Sequence, residues 1–313
     1  MSFEYIQKIP SAAEILAEMP ADEPVRAAKK RRDEMIRAAF ESRSEKFILI
    51  IGPCSADNEA AVFDYVTRLK DLQGRVAEKL ILIPRIYTNK PRTTGVGYKG
   101  IAHQPDPGEL PNIAEGIRAM RRMHLKIVRE TGFTVADEML YPGNYPYLED
   151  LLSYVAIGAR SVENQQHRLT VSGLDIPAGM KNPTSGDFGV MLNSVQAAQA
   201  AHVFIYKGWE VKTNGNPLAH CILRGAVDQH GNAIPNYHFE DLKRLLEMYA
   251  KRSLVHPALV VDTNHANSDK RAAEQPRIAM EVINSLRMSA EIKALVKGFM
   301  IESYIEEGAQ APT

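Results

Sequence analysis

From residue 47 onward, eight short apolar runs recur along the chain, separated by longer and more polar segments, and this rhythm restricts the fold more than any other feature. The runs are 47-FILIIGP-53, 81-ILIPRIY-87, 132-GFTVADE-138, 154-YVAIGA-159, 175-DIPAGMK-181, 202-HVFIYK-207, 258-ALVVDTN-264 and 296-VKGFMIE-302. Most are continuously apolar, the pattern of parallel strands buried on both faces. The intervening segments carry helical periodicity. Val62, Val66, Leu69 and Leu72 form one stripe after Asp57, which could cap that helix. Ile113, Ile117, Met120, Met123 and Ile127 form a second after Pro111, and Phe239, Leu242, Leu245, Leu246 and Tyr249 a third. Ile278, Val282 and Leu286 mark another helix, with Pro276 at its start or at a kink.

Strand and helix alternating in this way predict an α/β fold, a (β/α)8 TIM barrel over residues 47–313; a doubly wound open sheet is the alternative. After the last run only 303-SYIEEGAQAPT-313 remains, which contains Gly and Pro, so the last outer helix is expected to be missing or incomplete. Residues 1–46 form an N-terminal helical extension of two short helices. Pro10 and Ser11 start the first, and Pro20 with Asp22 ends it. Such an extension covers one end of the core or contributes to a subunit interface.

Lys plus Arg and Asp plus Glu each number 38, so no global field attracts nucleic acid or a membrane surface, and any cationic site must be local. No run reaches the length of a membrane span, and the N-terminus lacks the basic and apolar regions of a signal peptide. Two cysteines, Cys54 and Cys221, are too few for a disulfide framework and fit a reducing compartment. A cytoplasmic protein is expected.

Active sites of barrels lie at the carboxyl ends of the strands. Here the runs reach Cys54, Arg85, Asp137 with Glu138, Arg160, Lys181, Lys207, Asp262 with His265, and Glu302. The cations Arg85, Lys90, Arg92, Lys99, Arg160, Lys181 and Arg224 suit phosphate or carboxylate oxygens, and their number implies more than one anionic group. Within 89-NKPRTTGVGYKG-100, Lys90 and Arg92 bring charge, Thr93 a hydroxyl, and Gly95 and Gly97 close backbone approach, although the spacing is not that of a P-loop. Cys54, His265 and Glu302 come from the first, seventh and eighth runs, which adjoin when a barrel closes. A thiol, an imidazole and a carboxylate suit a borderline first-row divalent ion; taken singly, each is equally a buried thiol, a loop histidine or a solvated acid.

The motifs 51-IGPCS-55, 90-KPRTTGVGYKG-100, 157-IGARSVENQQHR-168, 179-GMKNPTSG-186, 220-HCILRG-225, 262-DTNHANSDK-270 and 299-FMIES-303 together resemble the 3-deoxy-7-phosphoheptulonate (DAHP) synthases of the short bacterial and fungal class. The resemblance implies condensation of phosphoenolpyruvate with erythrose 4-phosphate, releasing phosphate, at the entry to the shikimate pathway. It implies a divalent cofactor, Mn2+, Fe2+, Co2+ or Zn2+, on Cys54, His265 and Glu302. Arg85, Lys90, Arg160, Lys181 and Arg224 would bind phosphoenolpyruvate, and Arg92, Thr93, Lys99 and Asp262 the erythrose 4-phosphate. Lys90, Glu138 and His265 would act in catalysis, Glu138 near the attacking water. A homodimer or homotetramer is implied as well.

Three features depart from the family pattern. The segment carrying a fourth ligand, an aspartate after the eighth strand, is not present, and Glu306 and Glu307 are the nearest carboxylates. The stretch between His202 and His220, where feedback-regulated members carry a longer hairpin, is shorter, so inhibition by aromatic amino acids is expected to be weak or altered. Pro183 stands where the family usually has glycine. Two other functions fit the same motifs: a phosphoenolpyruvate-dependent aldol synthase using another aldose, and a catalytically impaired paralogue that serves as a partner protein.

Overall fold

The computed structural model describes residues 2–308. Its centre is an eight-stranded parallel sheet made of β1 (Phe47–Gly52), β2 (Leu80–Pro84), β3 (Val135–Glu138), β4 (Leu152–Ile157), β5 (Ala178–Lys181), β8 (Ala219–Leu223), β11 (Leu259–Asp262) and β12 (Val296–Glu302). The order is β2-β1-β12-β11-β8-β5-β4-β3. A parallel bridge between Arg85 and Ala136, with Ile86 N–H donating to the Ala136 carbonyl at 2.8 Å, joins β2 to β3 and closes the ring. The barrel expectation holds, and the open-sheet alternative does not. Every residue of β4, β5, β8 and β11 is buried, as continuous apolar runs require.

One strand was misplaced by the sequence reading. Residues 203–206 form β6 (Val203–Tyr206), which pairs antiparallel with β7 (Trp209–Lys212) in a hairpin outside the barrel. Both turn residues, Lys207 and Gly208, have positive φ, 52° and 79°, the signature of a two-residue primed turn whose twist suits a hairpin. Burial alternates along β6, leaving Val203 and Ile205 exposed. The sixth barrel strand is β8, whose mixed sequence AHCIL hides a wholly buried segment. Lys207 is therefore a hairpin-tip residue 3.9 Å from Glu149 and does not belong to the strand-end rim.

Side chains fall into two apolar layers. Ile48, Ile50, Ile81, Ile83, Ala136, Tyr154, Ala156, Ile222, Val260 and Met300 fill the barrel interior. The opposite faces of the strands meet helices α3 (Glu59–Val76), α4 (Ile113–Thr131), α6 (Phe188–Gln199), α7 (Phe239–Ala250), α8 (Glu274–Met288) and α9 (Ala290–Leu295); α5 (Gln165–Val171) follows β4. Asn58, one residue beyond the expected Asp57, caps α3. Pro276 lies in the first turn of α8, where its missing N–H costs nothing. Between β3 and β4 a 3-10 turn, Pro142–Tyr147, replaces a helix. Among the described residues no helix follows β12, and the outward residues Phe47, Leu49 and Ile51 of β1 stay only half-buried.

Helices α1 (Ala12–Glu18) and α2 (Glu23–Phe40) precede the barrel. Ser11 caps α1 through a capping box with Glu14, and Asp22 caps α2, which is longer than expected. The last turn of α2 enters the bottom of the barrel: Ile36, Ala39 and Phe40 belong to the interior layer. Phe40 stacks on His220 at 4.3 Å between ring centroids and lies 6.1 Å from Tyr154. Beneath it Tyr154 and His220 satisfy each other at 2.8 Å, and burial drives the His220 pKa down to about 4, keeping the ring neutral. Gly179 makes room for this pair, since a Cβ there would stand 2.2 Å from the Tyr154 hydroxyl. Replacing Phe40 by alanine should open a cavity at the barrel base and destabilise the protein by about 3–5 kcal/mol, read as a lowered denaturant midpoint; an unchanged midpoint would contradict the plug.

Candidate active site

The upper rim holds a chain of buried and half-buried polar side chains drawn from four strands. Lys181, last residue of β5, pairs with Asp262 of β11 at 3.1 Å. The Asp262 carboxylate lies 2.9 Å from His265 Nδ1 and accepts the Asn264 N–H at 3.0 Å. His265 Nε2 stands 3.7 Å from Glu302 Oε1, and the same oxygen accepts from Arg85 Nη2 at 2.9 Å. Arg85 stacks on the Tyr87 ring at 3.7 Å. Burial opposes ionisation of both carboxyls, but His265 and Lys181 hold Asp262, and Arg85 and His265 hold Glu302, below the usual carboxylate range. Asp262 thus lies beneath the rim, with Oδ2 facing Lys181 and His265 and Oδ1 taken by the Asn264 N–H.

Arg224 follows β8 and takes the rim position expected for Lys207. Its guanidinium is buried, yet Nη1 has no hydrogen-bond partner. Burial lowers its pKa, Asp262 opposes that shift, and the nearby cation Arg160, exposed at the end of β4, adds to it. A buried guanidinium with an unpaired nitrogen beside a second arginine suits an anionic group. Asn182 organises this corner: its Oδ1 accepts the Arg224 N–H at 2.9 Å and the Asn236 amide at 3.1 Å, and its Nδ2 donates to the Gly225 carbonyl at 2.9 Å. Neither Asn182 nor Asn236 was singled out from sequence, because neutral amides give no signal beyond adjacency to Lys181. Pro183 leaves Lys181 in place, since Asn182 carries the local hydrogen bonding.

Lys90, Arg92, Thr93 and Lys99 sit on the loop after β2. Its stems close through the Lys90 N–H to the Lys99 carbonyl at 2.9 Å. Arg92, Thr93 and Lys99 are exposed, with Arg92 Nε donating to the Tyr98 carbonyl at 2.7 Å. Lys90 turns inward onto Cys54, contacting its thiol and, at 3.1 Å, its carbonyl. Glu138 ends β3 against Gly158, where a Cβ would lie 2.0 Å from Glu138 Oε1.

Of the expected metal ligands, His265 and Glu302 fit a common ion: 3.7 Å is close to the spacing of two donors each about 2.1 Å from one ion. His265 adopts a left-handed backbone, φ 50°, and its Nδ1 lies off the hydrogen-bond line to Asp262 and lacks a partner, both marks of a constrained functional residue. Cys54 is held by Lys90 and by Tyr304, whose hydroxyl accepts the Cys54 N–H at 3.1 Å. Among the described residues no three His, Cys, Asp or Glu side chains are gathered tightly enough to hold an ion, so the expected trio of Cys54, His265 and Glu302 is not assembled here. Glu306 and Glu307 are exposed, and neither completes the set.

A model of the DAHP synthetase I family matches residues 28–312. The chain belongs to that family. It is 34% identical to the phospho-2-dehydro-3-deoxyheptonate aldolase of Haemophilus influenzae over 97% of this chain and 82% of that protein. It is 36% identical to the Tyr-sensitive enzyme of Escherichia coli over 86% and 74% of the two chains. The solved structure of phospho-2-dehydro-3-deoxyheptonate aldolase from Francisella tularensis superposes with a TM-score of 0.88 at 27% identity, covering 96% of this chain and 86% of that one. Members of the DAHP synthase family are metal-dependent transferases of aromatic amino acid biosynthesis. No helix among the described residues is long and apolar enough to cross a membrane.

Gly158→Ala should push the Glu138 carboxylate aside without disturbing the backbone, because the atom it meets is the far end of a flexible side chain. Turnover should fall on the order of a hundredfold with the melting temperature little changed; wild-type turnover would show that this carboxylate does not act where it stands.

Proposed function

We propose that this chain condenses phosphoenolpyruvate with erythrose 4-phosphate to give 3-deoxy-7-phosphoheptulonate and inorganic phosphate. The observation that carries the reading is the buried Arg224 guanidinium with an unpaired nitrogen, beside Arg160 and facing the Lys181–Asp262 pair. Arg85, Arg160, Lys181 and Arg224 are assigned to phosphoenolpyruvate, and Lys90 to the ground between the two substrates. Arg92, Thr93 and Lys99 offer an exposed cationic loop to the acceptor phosphate. Asp262, expected among the acceptor contacts, is assigned instead to holding Lys181 and orienting His265, since its oxygens are engaged there.

In this reading C3 of the enol phosphate forms a bond to the aldehyde carbon of the acceptor. Water, held near Glu138, adds to C2 as positive charge develops there, and the tetrahedral product loses phosphate. A divalent ion on Cys54, His265 and Glu302, with Mn2+, Fe2+, Co2+ or Zn2+ as candidates, would supply polarisation of the aldehyde oxygen. The cations fix the two substrates within reacting distance, so catalysis is by positioning and electrostatics. Phosphate release from phosphoenolpyruvate should require both the acceptor and a divalent ion, and chelation should abolish it. Release with arabinose 5-phosphate but not erythrose 4-phosphate would move the assignment to another aldose. No release from folded, metal-supplied protein would favour the partner-protein reading.

Arg224→Met should raise KM for phosphoenolpyruvate by about tenfold or more and leave KM for erythrose 4-phosphate nearly unchanged, because a buried charge-assisted contact is worth roughly 1.5–3 kcal/mol. The reverse pattern would misplace the clamp.

The short β6–β7 hairpin walls a cavity of about 760 Å3 with Lys29, Arg37, Ser172 and Tyr206. With so short a hairpin, inhibition by aromatic amino acids is assigned as weak or altered. Phe, Tyr and Trp, each at about 0.1 mM, should leave most of the activity, as ligands with a Kd of about 1 mM would; strong inhibition by any one contradicts this. Val203, Ile205 and Trp209, exposed on the same hairpin, support self-association as a homodimer or homotetramer. A cytoplasmic location is in keeping with the two free cysteines.

A further inference from the structure

Two aspartates are buried at the strand ends, and they are treated differently. Asp262 meets Lys181, whereas Asp137, on β3, has no cation within ion-pair distance among the described residues. Its oxygens are filled by hydrogen bonds from the root of the acceptor loop. Oδ1 accepts the Thr88 N–H at 3.0 Å and the Glu138 N–H at 2.7 Å, and Oδ2 accepts the Thr88 hydroxyl. Thr88 is where both stems of the segment 88–102 converge. Its carbonyl accepts the Ala102 N–H at 3.2 Å, and Gly100, at φ 102°, packs so closely that a Cβ would stand 2.3 Å from that carbonyl oxygen. Asn89 Nδ2 donates to the Thr88 hydroxyl oxygen at 3.2 Å, and Asn144 to Asn89 at 3.3 Å.

We propose that Asp137 is a positioning residue whose carboxylate anchors the root of the Thr88–Ala102 segment to β3, holding Lys90, Arg92, Thr93 and Lys99 in one frame with Glu138. The inference rests on the acceptor role given to that segment above. Oδ1 takes the two backbone N–H groups and Oδ2 the Thr88 hydroxyl; an asparagine keeps the first two but places an N–H against the hydroxyl, which must then give up its donation to residue 137. Asp137 makes no contact with the substrate-facing cations, so it acts through Thr88 and through its neighbour on the strand.

The anchor depends on charge. Burial raises the Asp137 pKa to about 7, the three donated hydrogen bonds oppose that shift, and the Glu138 charge adds to it. The groups around it are Thr88 and Asn89 from the segment after β2, Glu138 on its own strand, Met120 from α4, Tyr141, Asn144 and Tyr145 at the 3-10 turn, and Val155 from β4, with no cation among them. Below neutrality the added proton makes Oδ2 a donor, the Thr88 hydroxyl must turn its own hydrogen away from Asp137, and the root loosens. A carboxyl whose folded pKa lies above its unfolded value costs stability as pH rises from about 4 toward 7, so this charge works against folding. A positional role explains a buried charge that stability does not.

The test uses the full chain and compares wild type with Asp137→Asn. KM for erythrose 4-phosphate should rise about tenfold while KM for phosphoenolpyruvate stays within about twofold, and the acid limb of kcat/KM near neutrality should disappear. In parallel, hydrogen exchange of peptides spanning residues 88–102, corrected for intrinsic rates, should be faster in the variant, and in wild type faster at about pH 6 than at about pH 8. If Asp137→Asn does not fold, Thr88→Val, which removes only the donated hydroxyl, is read in the same two assays. Unchanged exchange with both KM values unchanged overturns the proposal. Wild type that performs no condensation while Asp137→Asn still frees the segment would overturn the functional reading and leave the anchor standing.

Discussion

The run from Lys181 through Asp262, His265 and Glu302 to Arg85, in which two carboxylates alternate with two cations and an imidazole, is the constraint on which the top of the barrel depends. Charges removed from water cost several kcal/mol each unless they are paired, so each of these groups fixes the position of the next. The pairs cross from β5 to β11, to β12 and to β2, and so tie together strands that lie far apart in sequence. The result holds Asp262 and Glu302 ionised and keeps Lys181 and Arg85 in place. Arg224 is left with an unpaired nitrogen beside Arg160, where an anion can complete its hydrogen bonding.

The remainder of the fold keeps that rim rigid. The last turn of α2 closes the barrel base with Phe40, and Arg32 and Arg37 of the same helix donate to the carbonyls of Leu82 and Asp175. Asparagines serve as neutral braces above: Asn182 links the loops after β5 and β8, and Asn267 reaches the Leu223 and Asp262 carbonyls at 3.2 and 2.7 Å. The segment after β2 meets the body at Thr88, which donates to Asp137, at Asn89, which accepts from Asn144, and at Lys90, which reaches Cys54. Charges braced across the strands and a basic segment fastened at its root suit a reaction in which two phosphorylated substrates must be brought into register.

Much of this was legible in the sequence. Continuous apolar runs gave seven of the eight barrel strands, because burial on both faces leaves a composition signal that survives without alignment. The sixth failed because Val203–Tyr206 is as apolar as a buried strand, while β8 carries a histidine that Tyr154 satisfies inside the barrel. Lys207-Gly208 was the turn signal that distinguished them. At the site, charged residues at strand ends were readable as a set, since each costs too much to be placed there idly. The partner of each charge was not readable: that Asp262 faces Lys181 instead of a substrate, or that Lys90 lies on Cys54, follows from three-dimensional pairing.

The central claim is that this rim joins two phosphorylated carbon skeletons. The direct measurement supplies phosphoenolpyruvate labelled with carbon-13 at C3 and erythrose 4-phosphate labelled at its aldehyde carbon, and follows the product by NMR. A one-bond carbon–carbon coupling between the two labels, appearing as phosphate is released, is the result the account predicts. Phosphate release with the C3 label recovered in uncoupled pyruvate would contradict it, since the rim would then be a hydrolytic site and not a site of carbon–carbon bond formation.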